Sequence, residues 1–149
     1  MQMAGGLRID PVVLDIGATG EGIELVVLYT EWSLASGILK KLESLTAGLN
    51  PTVRLVAVHT VPYPLPFGCQ ASVHAHLVEQ LVDLASNCGL AVDAQVVLAR
   101  YQEEGFRHVL NPESIVVIGA RKQLWRSREE RLAHNLAREG YRVALLHIK

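Results

Sequence analysis

The chain has 149 residues, half of them hydrophobic and 19% charged, with 14 Lys and Arg against 15 Asp and Glu. A single domain of this size buries roughly two-thirds of the surface its unfolded chain exposes, and the apolar fraction excludes a disordered or collagen-like chain. Residues 1–99 carry four bases against nine acids and residues 100–149 ten bases against six, an asymmetry too slight for the dense basic stripe of a nucleic-acid binder.

In chain order, residues 1–22 form an N-terminal extension in which LRIDPVVLDI offers an extra edge strand; the predicted domain is 23–149. Ile23 to Tyr29 (IELVVLY) is β-rich, and Thr30 or Ser33 can cap the helix that follows. Its apolar positions Leu34, Ile38, Leu42, Leu45 and Leu49 recur every three or four residues, and Asn50-Pro51 stops it because a residue before proline avoids the helical region. Val53 to Thr60 is the next strand. Pro62, Pro64 and Pro66 alternate after it and predict an extended, lid-like loop. A helix over Ala71 to Cys88, with Val73, Leu77, Leu81, Leu84 and Cys88 facing in, ends at Gly89.

Ala91 to Leu98 is the following strand, and Gln102 to Leu110 a short helix halted by Asn111-Pro112. Ser114 to Gly119 (SIVVIG) has the continuous apolar character of a central parallel strand. A helix from about Ser127 to Glu139, with Leu132, Leu136 and Ala137 inward, precedes Gly140 and the last strand, Tyr141 to Ile148. This alternation predicts a three-layer α/β/α, Rossmann-like domain around a five-stranded parallel sheet. Ligands of such sheets bind beyond the carboxyl ends of the strands, where strand order reverses.

Several chemistries lack their residues. Cys69 and Cys88 have no metal-ligand spacing and read as free thiols. His74 and His76, two apart on a helix, point in nearly opposite directions and do not share a metal easily. Asp15 to Gly22 (DIGATGEG) is similar to the phosphate turn of actin-like ATPases, but those need two such domains. It lacks the Gly-Lys-Ser/Thr of a P-loop and is followed by a strand, so a Gly-rich hairpin or entry segment is the favoured reading. No nucleophile elbow is present, and no enzymatic activity is expected. The N-terminus lacks a signal-peptide pattern and no apolar run reaches the roughly 18 residues of a membrane span, so a cytoplasmic protein without membrane insertion is expected.

Gly119 to Arg131 (GARKQLWRSREER) places five bases and Trp125 just beyond a strand and at the start of the last helix. Backbone amides at a helix N-terminus favour anions, and Arg121, Lys122 and Arg126 can add charge-assisted contacts to a nucleotide or phosphate. The alternative is a solvated helix whose Glu129 and Glu130 balance its arginines.

With these elements in place, residues 23–149 resemble a universal stress protein domain, most closely over SIVVIGARKQLWRSREERLAHNLAREGYRVALLHIK. Nucleotide-binding members carry G-x2-G-x9-G-[S/T] there; this chain has Gly119 first, Lys122 at the second position and Leu132-Ala133 at the last pair. The family's Asp after the first strand falls at about Thr30, and its glycine-containing turn is replaced by Ala99-Arg100-Tyr101. The resemblance thus implies a degenerate regulatory or interaction domain, without a cofactor and without ATP in the usual mode. The alternative it leaves is a small-ligand binder that holds a nucleotide or other phosphate around Thr30, Gly119, Arg121, Lys122 and Arg126. It also implies a homodimer through antiparallel pairing of Tyr141 to Ile148, an apolar edge strand that has to be paired or protected. It further implies a transporter or sensor as a protein partner, and Tyr63, Phe67 and Trp125 are candidate aromatics for a contact surface or lid; the alternative for Tyr63 and Phe67 is that they merely cover a helix.

Overall fold

A computed structural model describes residues 8–12, 24–49, 51–66, 71–121 and 127–148. The strands are β1 (Arg8–Val12), β2 (Glu24–Tyr29), β3 (Thr52–Thr60), β4 (Val92–Ala99), β5 (Ile115–Arg121) and β6 (Arg142–Ile148). The helices are α1 (Trp32–Leu45), α2 (Ala71–Ser86), α3 (Gln102–Val109) and α4 (Arg128–Arg138). The sheet has the order β1-β4-β3-β2-β5-β6, and β2 to β6 are mutually parallel. β1 is the extra edge strand, antiparallel to β4 with Arg8 opposite Leu98.

The chain steps from β2 to β3 to β4 in one direction and then jumps across to β5 and β6. Strand order therefore reverses between β2 and β5. Period-2 alternation sends the residues of each strand to two cores. Leu25, Val27, Val53, Leu55, Ala57 and Val117 meet α1 and α2; Val26, Leu28, Val56, Val97, Val116 and Ile118 meet α3 and α4. Both faces of the central strands are covered, which is why these strands read as unbroken apolar runs. No helix among the described residues is long and apolar enough to cross a membrane.

Several sequence expectations are corrected in detail. α1 is capped by neither Thr30 nor Ser33: Glu31 occupies the N-cap position without a side-chain cap bond. Its helix ends at Leu45, and the turn through Gly48 (φ 83°) leaves Leu45 and Leu49 exposed past the core. In α2 the inward stripe keeps Leu77, Leu81 and Leu84, with Cys88 packed on the core just past the helix, but at its amino end His74 turns inward and Val73 is exposed. In α4, Ala133 is buried in place of Ala137.

The segment after β3 is not extended over residues 61–66. Leu65 N–H donates to the Pro62 carbonyl and closes a turn that contains a cis Tyr63–Pro64 bond. Arg100 fixes that turn from the end of β4, donating to the Val61 carbonyl at 3.1 Å and to the Pro62 and Leu65 carbonyls. Finally, β5 runs two residues past Gly119, because Ala120 and Arg121 pair with His147 and Ile148 of β6. That places Arg121 at the end of a strand rather than in a loop.

Candidate functional site

The candidate site lies at the carboxyl edge of the sheet, where β2 and β5 part. β2 ends at Tyr29, and Thr30 and Glu31 lead into α1. β5 brings Gly119 and Arg121 alongside, on the face covered by α1. Of the five residues predicted from sequence, Thr30 lies at the end of β2 and Gly119 and Arg121 at the end of the neighbouring β5; Lys122 and Arg126 lie outside the described residues, as do Trp125, Phe67 and the glycine-rich segment 15–22.

Gly119 has a packing role. A Cβ there would stand 2.7 Å from Ile38 Cδ1 and 2.9 Å from its Cγ1. The glycine lets α1 sit close against β5, with the Ile38 side chain filling the place a Cβ would take.

Arg121 is already engaged. Its Nη1 donates to Glu31 Oε1 at 2.5 Å, its Nη2 donates to Ser33 Oγ, and Ser33 Oγ donates to the same Glu31 oxygen at 2.5 Å. These bonds, Ser33 first and Arg121 second, hold the Glu31 carboxyl below its ordinary value. Charge-assisted hydrogen bonds favour the ionised carboxylate, and the crevice carries a plus and a minus that cancel. Tyr29, half-buried beside it, is pushed above the ordinary phenol value by burial and by the Glu31 charge.

The start of α4 is also supplied from within the chain. Ser127, buried, accepts from the Glu130 N–H at 3.1 Å, and Glu129 and Glu130 occupy the first turn. The Ser-x-x-Glu spacing is a capping box legible in the sequence, and its carboxylates oppose an anion at that helix end.

A histidine pair lies on the same face, and sequence reasoning did not assemble it. His59, buried at the end of β3, stacks on His74 of α2 with ring centroids 5.7 Å apart. Their signal is the spacing His74, Leu77, Leu81, which puts His74 on the inward face of α2. Around this edge stand exposed apolar side chains: Trp32 at the start of α1, Tyr63 and Leu65 in the turn after β3, Val73 in the first turn of α2, and Tyr101 after β4. Tyr63 lies under the Arg100 guanidinium at 5.7 Å.

Among solved structures, a universal stress protein in complex with cAMP matches this chain with a TM-score of 0.53 and 14% identity, over 85% of this chain and 98% of its own. The likeness is one of fold: a universal-stress-protein-like α/β domain. No family model matches the sequence, and the curated proteins return no match.

Proposed function

We propose that this chain is a non-enzymatic regulatory or interaction domain of universal stress protein type that does not bind ATP in the usual mode. The observation that carries this reading is the strand-switch crevice. Its one retained glycine, Gly119, is spent on packing against Ile38, and its cation, Arg121, is neutralised by Glu31. The exposed aromatic and aliphatic side chains along the same edge favour contact with a protein surface, since Tyr and Trp are enriched at such interfaces.

The domain acts as a homodimer joined through β6. Among the described residues this strand has one neighbour, β5, and its Val143, Ala144, Leu145, Leu146 and Ile148 are each half-buried. An edge of that kind templates a further strand, and a second copy in antiparallel register satisfies it.

Native mass spectrometry with and without ATP, cAMP and inorganic phosphate tests both statements at once. A dimer without a stoichiometric nucleotide adduct is the expected result. A monomer overturns the pairing of β6, and a stoichiometric ATP adduct overturns the degenerate site. A second reading, a small-ligand binder for a nucleotide or phosphate, is favoured by the position of Arg121 at the strand-switch crevice, where ligands of open α/β sheets bind. It predicts an adduct that the Arg121→Ala variant loses while its melting temperature stays within a degree or two of the parent's.

A further inference from the structure

We infer that Glu31 is a built-in anion: its carboxylate occupies the guanidinium of Arg121 at the strand-switch crevice and so sets the ligand class there against phosphates. The inference rests on the reading of the crevice given above and adds the residue responsible. Two features draw negative charge to this point. One is Arg121, whose planar fork suits carboxylate or phosphate oxygens. The other is the amino end of the 14-residue helix α1, whose first backbone amides lack partners within the helix.

Glu31 stands at the N-cap of that helix in an extended conformation, and its carbonyl accepts the first helical bond, from the Ala35 N–H at 3.0 Å. Its carboxylate makes no cap bond to the helix. It points instead to Arg121 and Ser33, and the Ser33 hydroxyl bridges the two. The side chain thus takes the place beside the cation that an incoming phosphate oxygen would take, and it meets that phosphate with like charge.

The pair lies in the open, with side chains 48% exposed for Glu31 and 41% for Arg121. Exposed pairs are weak and exchange readily, so the arrangement discriminates by charge and does not seal the crevice. At contact distance in water one like charge lowers affinity roughly fivefold per phosphate charge. Losing both the repulsion and the competition for Arg121 then amounts to a gain of about tenfold or more for a polyanion.

The experiment is a titration of the full chain with inorganic pyrophosphate, followed by backbone amide shifts, for the parent, Glu31→Gln, Glu31→Ala and the double variant Glu31→Gln with Arg121→Ala. Pyrophosphate is expected to bind both Glu31 variants about tenfold more tightly than the parent, with the largest shifts around Ser33 and Arg121. The double variant is expected to return to the parent's affinity. Equal affinity in the parent and both Glu31 variants overturns the inference, and so does a gain that survives loss of Arg121, which places the anion elsewhere. A parallel ATP titration of the parent keeps the two readings apart. Stoichiometric ATP binding by the parent defeats the degenerate-site reading, whereas an unchanged pyrophosphate affinity on removing Glu31 defeats only the role given to Glu31.

Discussion

The two ends of the sheet each hold an arginine, a glutamate and a serine, and they use them differently. At the amino edge Arg54 of β3 donates to the Val109 carbonyl at 3.1 Å and to Gln95 Oε1 at 3.5 Å, and lies 3.6 Å from Glu24, which accepts from the buried Ser114. At the carboxyl edge Arg121 of β5 meets Glu31 and Ser33, all three on the surface side of α1. The first cluster ties β2, β3, β4, the end of α3 and the start of β5 together, and its arginine side chain is 25% exposed. The second ties one strand end to one helix start and is open to water. The same three side-chain types are a structural joint where a backbone carbonyl depends on them, and an exchangeable latch where water can replace each bond.

The largest effect expected from that contrast is at the amino edge. Arg54→Ala strips the Val109 carbonyl and Glu24 of a charged partner in a part-buried setting and should cost about 2–3 kcal/mol in urea unfolding. A loss below about 0.5 kcal/mol would erase the distinction between the two ends. Gly119→Ala comes next. The added methyl must displace Ile38 in a close-packed layer, which costs about 1–2 kcal/mol and moves α1 away from β5; an unchanged midpoint would remove the packing role of that glycine.

Arg121→Ala should change stability by no more than about 0.5 kcal/mol, since an exposed pair contributes little. The smallest effect is the titration of Glu31. Its carboxyl is held below the ordinary 4.5 by Ser33 and Arg121. The sign follows from that lowering: the contribution is present above the unfolded-state value and is lost as pH falls through the lowered folded one. Arg121→Ala should move the Glu31 carboxyl back up, as followed by carbon NMR of the side chain. A Glu31 titration that is identical in the two proteins would dissolve the pair.

Part of the carboxyl edge was legible in the sequence. The ends of two predicted strands bring Thr30, Gly119 and Arg121 to one edge of the sheet, and β2 and β5 do lie side by side there. What was hidden is what each is doing. Gly119 read as the remnant of a phosphate loop, because its neighbour across the layer, Ile38, is 81 residues away in the chain. Arg121 read as a free loop cation, because the pairing with β6 that makes it part of β5 is non-local, and so is its contact with Glu31. Val73 and His74 exchanged roles for a milder reason: both fit a helical stripe ending in Leu81 and Leu84, and only the docking angle of α2 on β3 and β4 chooses between them.

By itself the sequence determined the alternation of strands and helices, the parallel sense of the main strands and which strand ends share an edge of the sheet. Each of these follows from local periodicity, from turn residues and from the right-handed crossover that a parallel pair requires. The tertiary structure alone decided the antiparallel place of β1 beside β4, the inward turn of His74 in place of Val73, the turn pinned by Arg100 and the neutralisation of Arg121. Those depend on contacts between residues far apart in the chain, whose partners are chosen by how whole elements pack and not by any pattern within one of them.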